Sequence, residues 1–261
     1  MGQQKNTRNP FHFKHFTVFQ DHVALPVTTD ACLFGAWISQ FALSENDKIL
    51  DIGTGTGLLV FMLAQKFPKA SFTGVDIHPP SILAAQKSLI EGHTHKQTNI
   101  TFELQNVLEM KGHSFHSIIS NPPFFSRQLA SPNPTRNLAR HSNDLTLKTM
   151  IEQCFTLLST DGNLFLMYPF EEQSLLLQTL RDNNFYIQQT TLVASNENKK
   201  PHLLFIHATK CNMPQVSLNP PLANRINLYE ISDSSNPIQN NNPYNLTSES
   251  AKLLKDYYIK L

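Results

Sequence analysis

Three glycines fall within five residues in a chain that holds only nine among 261. They belong to Asp51-Ile52-Gly53-Thr54-Gly55-Thr56-Gly57, between an apolar run that reads as a strand and one that reads as a helix. In an open α/β sheet, such a turn lies at the carboxyl end of a strand, where ligands bind. Glycine there lets the backbone turn sharply and lets a ligand come close. A dinucleotide fingerprint G-x-G-x-x-G would need its third glycine at position 58, which is Leu58. The pattern is instead D-x-G-x-G-x-G. A carboxylate ahead of the loop is a poor neighbour for a pyrophosphate but a good one for an ammonium group. S-adenosyl-L-methionine, with an amino group, a sulfonium and no phosphate, is the expected cofactor. Asp76, 21 residues after Gly55 at the end of the next strand, suits two ribose hydroxyls. Nicotinamide or flavin binding, and a plain glycine-rich turn, are the alternatives.

A second constellation, Ser120-Asn121-Pro122-Pro123-Phe124, ends the fourth expected strand and should open into the same crevice. An adenine exocyclic amine is planar and weakly nucleophilic because its lone pair is delocalised into the ring. The Asn121 side-chain oxygen and the Pro122 carbonyl can each accept one of its N–H bonds and turn the lone pair toward a methyl donor. The same acceptors stabilise positive charge building on nitrogen. Pro122 and Pro123 stiffen the loop, and Phe124 can stack on a flat target. Asn-Pro-Pro alone can simply end a strand; its place beside the glycine turn gives it chemical meaning.

The elements that must hold these groups alternate. Thr28-Thr29-Asp30 caps a helix expected through Phe41. Strands are expected at 48–53, 71–76, 100–104, 115–120 and 163–168, and a terminal hairpin at 186–193 and 203–208. Helices are expected at 58–67, 79–91, 146–158 and 171–181, with Asp161-Gly162 as a turn. This rhythm implies an α/β fold with a mainly parallel, seven-stranded, Rossmann-like sheet and helices on both faces. Residues 1–45 read as an N-terminal extension, 46–210 as the catalytic domain, and 211–261 as a C-terminal extension. The last has a loop-rich stretch at 213–244, holding five of the sixteen prolines, and a short helix at 247–258.

Composition narrows the rest. Charged residues are 16% of the chain and the formal net charge is +1, so any nucleic-acid contact must come from a local basic patch. Lys5, Arg8 and Lys14, interleaved with Phe11, Phe13 and Phe16, make one candidate, although those phenylalanines also suit a core. Arg127, Arg136 and Arg140, after the asparagine–proline loop, make another, near the phosphates that flank a flipped base. Cys32, Cys154 and Cys211 form no disulfide framework, which suits a cytoplasmic protein. His12/His15, His93/His95 and His113/His116 lack the partners a metal would need, so no metal is expected. No apolar run is long enough for a membrane span, and a monomer or weak dimer is expected.

These motifs resemble a known family, the class I methyltransferases with an N-P-P-[YF] loop that modify planar nitrogens. Within it, the sequence is most similar to the bacterial tRNA1(Val) (adenine-N6) methyltransferases, which act on the adenosine 3′ of the anticodon. The likeness runs through Phe11-x-Phe13-Lys14-x-Phe16, Thr29-Asp30, Leu33-x-Gly35-Ala36-Trp37, both loops, Arg136-x-x-x-Arg140-His141 and Pro201-His202. The resemblance implies that Asp51, Gly53 and Gly55, with Gly57 in the same turn, line the methionine part of the cofactor. It places Asp76 at the ribose and Asn121 at the reacting amine. Asn106 stands where the family usually has an Asp toward the cofactor adenine, and Phe124 where Tyr is commoner. The implied activity is methylation of an adenine N6 in tRNA. The same chemistry on DNA, ribosomal RNA or a glutamine amide, and an RNA-binding scaffold without turnover, are the rivals.

Overall fold

The computed structural model describes residues 8–41, 43–92, 99–122, 145–211, 223–230 and 245–259. Its frame is an eight-stranded sheet. The strands are β3 (Lys48–Ile52), β4 (Ser71–Asp76), β5 (Ile100–Leu104), β6 (Phe115–Ser120), β7 (Leu158–Pro169), β8 (Phe185–Ala194), β9 (Leu203–Lys210) and β10 (Asn224–Asn227). They lie in the order β10-β8-β9-β7-β6-β3-β4-β5, all parallel except β9, which runs against β7 and β8. Short apolar runs such as Ile49-Leu50 and Ile118-Ile119 are buried because helices cover both faces. β1 (Phe11–His12) and β2 (Thr17–Val18) form a separate small hairpin.

Helices α1 (Thr29–Ile38) and α2 (Leu58–Lys66), with the C-terminal α6 (Ser248–Leu254), belong to one core; α4 (Leu147–Leu157) and α5 (Gln173–Asp182) belong to the other. Helix α3 (Pro79–Glu91) packs on β4 and β5. α1 and α2 are buried along most of their length, so both read as apolar throughout rather than amphipathic. They approach closely at Gly35, where a Cβ would stand 2.7 Å from the Met62 sulfur. The expected cap is present, the Thr28 hydroxyl accepting from Ala31 N–H, and at the start of α4 Thr146 forms an unexpected reciprocal box with Thr149.

Three local expectations are corrected. Asp161-Gly162 does not lie ahead of the strand, as expected, but inside the longer strand β7, where Asp161 takes the left-handed conformation at φ 57°. The pairing of β7 with β6 slips there, so that Leu158 faces Phe115 while Asn163 faces Ser117. The stretch 213–244, expected as loop, contains β10, which extends the expected seven strands to eight. Helix α1 ends at Ile38 rather than Phe41, with its last carbonyls met by Ser39.

Candidate active site

β3 ends where Gly53 reaches φ 71°, and the N–H groups of Gly53 and Thr54 both donate to the Val75 carbonyl, at 2.9 and 3.0 Å. The glycine turn is thereby tacked onto β4. Gly55 follows at φ 56°, and its N–H donates to one Asp76 carboxylate oxygen at 3.0 Å; the other accepts from His78 N–H at 2.8 Å. A Cβ on Gly53 would meet nothing within 4 Å, so that side of the turn is open. Gly57 is different. It has φ 80° and opens α2, and the place of its Cβ is filled by Phe102 and Phe61, 2.7 and 2.9 Å away. It shapes the helix start and does not border the cavity described next.

One cavity collects most of the expected cofactor residues. It is floored by Gly53, Thr54, Gly55 and Thr56, bordered by Asp76 and His78, and continued by Gln105, Asn106 and Val107 after β5. Asn121 and Pro122 border it as well. The two strand tips are held together by the Ser120 hydroxyl, which donates to the Ile52 carbonyl at 2.8 Å in a buried position. Asn121 is therefore one residue from a bond that pins its strand to the glycine turn. Pro123, Phe124, Arg127, Arg136 and Arg140 lie outside the described residues.

The electrostatics centre on Asp51. It is 1% exposed, and neither carboxylate oxygen has a hydrogen-bond partner among the described residues. Burial pushes its pKa up from 3.8 to about 7, the nearby Thr54 hydroxyl pulls it down, and Asp76 adds to the rise. Burial also raises Asp76, against the opposing effect of the N–H bonds from His78 and Gly55. Two acidic groups thus stand close together and short of positive charge, an arrangement completed by a cation. Asp51 itself lies behind the turn rather than on the cavity wall.

Asn106 caps a short 3₁₀ turn, Val107–Glu109, by accepting from Leu108 N–H at 3.1 Å. Its oxygen already accepts this one bond, and its amide NH₂ can donate to a ligand. Gln153 of α4 secures that turn by donating to the carbonyls of Val107 and Met110, at 2.8 and 2.9 Å.

The opposite wall escaped sequence reasoning. Ala24, Leu25, Pro26 and Val27, with Ala31 of α1, face the glycine turn across the cavity. Gln20 clasps this strap, accepting from Val27 N–H at 3.1 Å and donating to the Asn9 carbonyl at 2.7 Å. Its one signal is position, immediately ahead of the Thr28 cap. Lys14 is not at this site. It sits against the C-terminal segment, its N–H donating to the Tyr257 carbonyl and its ammonium to that of Lys255. Phe13 and Phe16 beside it are core residues. No group of three His, Cys, Asp or Glu side chains able to hold a metal exists among the described residues. No helix among them is long and apolar enough to cross a membrane.

Comparisons with known proteins agree with this geometry. Residues 43–219 match a family described as "Methyltransferase domain". A protein of Parabacteroides distasonis named tRNA1(Val) (adenine(37)-N6)-methyltransferase is 34% identical over 80% of this chain and 88% of its own. One of the same name from Trichodesmium erythraeum is 30% identical over 97% and 98%. Among solved structures, a predicted O-methyltransferase from Agrobacterium tumefaciens superimposes with a TM-score of 0.59 at 14% identity, over 87% of this chain and 95% of that one. The complex of aTrm5 with tRNALeu gives 0.58 at 13% identity, over 81% and 55%. These two likenesses concern the fold alone.

Proposed function

The chain belongs to the tRNA1(Val) (adenine(37)-N6)-methyltransferase family, and from that premise we propose that it methylates the N6 amine of the adenosine 3′ of the anticodon in valine tRNA. The observation that carries the reading is the shared cavity: Gly53 of the glycine turn and Asn121-Pro122 border one space, joined behind it by the Ser120–Ile52 bond.

S-adenosylmethionine is the cofactor and supplies, when bound, a methyl group on a sulfonium. The residues present suit it. Asp51, buried behind the glycine turn and without a hydrogen-bond partner among the described residues, favours an ammonium on the cavity side of that turn through its charge. Asp76 keeps lone pairs for ribose hydroxyls after accepting its two N–H bonds. The Asn106 amide donates toward a ring nitrogen of the adenine. On the substrate side, Asn121 and the Pro122 carbonyl each accept one N–H of the target amine and hold its lone pair along the line of transfer. Both acceptors grow stronger as the nitrogen becomes positive, which lowers the barrier. The methylated nitrogen is acidic and loses its extra proton to water, so no strong base is required.

The test is Asn121→Ala with labelled cofactor and valine tRNA. Turnover should fall by about 10²-fold or more, the scale of losing a preorganised transition-state hydrogen bond. Affinity for S-adenosylhomocysteine should stay within about twofold. Undiminished turnover would overturn the role of Asn121. Parallel incubations with DNA, ribosomes and release factors, none of which should take up label, test the substrate class.

A further inference from the structure

The turn joining β8 to β9, residues 195–202, contains Asn196-Glu197-Asn198-Lys199-Lys200-Pro201-His202. Its place follows from strand register. Ser120 of β6 pairs with Leu166 of β7, and Leu203, the first residue of β9, pairs with Pro169. The turn therefore begins three residues, or ~10 Å, beyond the level of Ser120. Two strand spacings, about 10 Å, separate β9 from β6 laterally. The turn stands as a raised shoulder at the edge of the sheet where Asn121 and Pro122 emerge.

It is unusually well braced for an exposed turn. Arg225 of β10 donates through one guanidinium nitrogen to the carbonyls of Asn196, Glu197 and Lys199, at 3.3, 3.2 and 2.7 Å. Its Nε donates to Asn227 at 3.0 Å, so the fork is fixed at its own end too. Inside the turn, Lys199 N–H donates to the Asn196 carbonyl and Asn198 N–H to the Asn196 side chain, both at 3.1 Å. At its far end, His202 Nε2 lies 3.3 Å from Asp30 at the start of α1, linking the shoulder to the helix whose first residues border the cavity. One guanidinium nitrogen of Arg225 is thus given to the turn's backbone while Lys199 and Lys200 remain exposed. Neither lysine has an ion-pair partner among the described residues, and the turn's single acid is Glu197.

We propose that this braced turn is a contact surface for the tRNA backbone, with Lys199 and Lys200 receiving phosphates next to the reacting nucleotide. The proposal rests on the tRNA reading above and adds where the polyanion lies. A flipped base must enter the crevice while its flanking phosphates stay outside it, on the rim. Two lysines on a rigid scaffold meet those phosphates with little of the ordering cost that a flexible loop would incur. Phosphate contacts position the RNA without reading its sequence.

The experiment measures binding of valine tRNA by fluorescence anisotropy across a salt series, with S-adenosylhomocysteine present. The variants are Lys199→Gln/Lys200→Gln and Lys199→Glu/Lys200→Glu. Losing two single-strand phosphate contacts should flatten the plot of log K against log salt by about 1.4, from ~0.7 per contact. The Glu pair should raise Kd by about tenfold or more, and the Gln pair by less. Affinity for S-adenosylhomocysteine and thermal melting should match the unsubstituted protein. Wild-type Kd and salt slope in both variants would overturn the proposal. If the unsubstituted protein methylated no tRNA, the proposed function itself would fall instead, and that result is separately visible.

Discussion

Asp51 carries the sharpest chemical consequence at the scale of single residues. Its pKa of about 7 in the folded chain lies above the unfolded value of 3.8 because burial disfavours the charged form. The folded state therefore holds a proton that the unfolded state has released, and this contribution to stability is fully present below about pH 4. It is lost as pH rises toward and through 7. An ammonium beside Asp51 favours the ionised form, so cofactor affinity should rise with pH up to about 7 and level off above it. Calorimetry in buffers of different ionisation enthalpy should report release of up to one proton on binding near pH 6. Asp51→Asn should abolish that release, weaken binding at pH 8, and raise the melting temperature of the ligand-free protein there, since a buried neutral amide costs less than a buried charge. No buffer dependence would mean the ammonium sits elsewhere. The carboxylate was legible in the sequence from its place before Gly53. Its lack of partners was not, because that depends on where Thr54 falls. Asp76 was likewise legible as a candidate ribose ligand from its place after β4, while the bond it accepts from Gly55 N–H appears only once β4 lies beside β3.

Among the elements, the glycine turn and the strap opposite it make separable demands. Gly57 opens α2 at a positive φ with Phe102 and Phe61 where a Cβ would go. Gly57→Ala should destabilise the fold by about 2 kcal/mol or more, from backbone strain plus displaced rings, as read by denaturant unfolding. Gln20→Ala should leave stability nearly unchanged but raise the Kd for S-adenosylhomocysteine severalfold, in keeping with the ~1 kcal/mol of one hydrogen bond. Exchange of the Val27 amide should accelerate at the same time. Gln20→Glu, which keeps an acceptor for that amide, should recover much of the affinity; equal affinity in all three proteins would detach Gln20 from the cavity. The sheet strands β3 to β6 were readable because β3 and β6 carry short apolar runs and β4 and β5 alternate apolar with polar residues. β10 was not: in Asn224-Arg225-Ile226-Asn227 only Ile226 is buried, and four residues give no period to detect. β1 and β2, two residues each, are set by where Phe13 and Phe16 between them, and Val18 of β2, find a core rather than by local preference.

For the whole molecule, segments far apart in sequence close over the same pair of helices. Phe13 stacks on Phe16 at 4.5 Å, and Phe13 lies 6.1 Å from Tyr258. Lys66 of α2 pairs with Asp256, and Gln65 donates to the Asp256 carbonyl at 3.1 Å. Tyr257 and Tyr258 are both buried against this seam. A chain cut after residue 247 should therefore melt several degrees lower, because burying one aromatic side chain contributes roughly 1.5–3 kcal/mol. It should also bind S-adenosylhomocysteine more weakly, since the strap continues from the same N-terminal hairpin. Unchanged melting and affinity in the shortened chain would show that the seam is decorative.

The bond from Lys14 N–H to the Tyr257 carbonyl spans nearly the whole chain. During synthesis, the segment that walls the cavity leaves the ribosome early, is first held by bonds such as Thr17 N–H to the Gly92 carbonyl and Phe19 N–H to the Ser88 hydroxyl, and meets its tyrosine pair only when the C-terminal segment emerges. Long-range closures of this kind form late and slowly. Until Tyr257 and Tyr258 have emerged, the sheet can fold while the hairpin ahead of the cavity wall still lacks its seam, so that wall should be among the last parts to tighten.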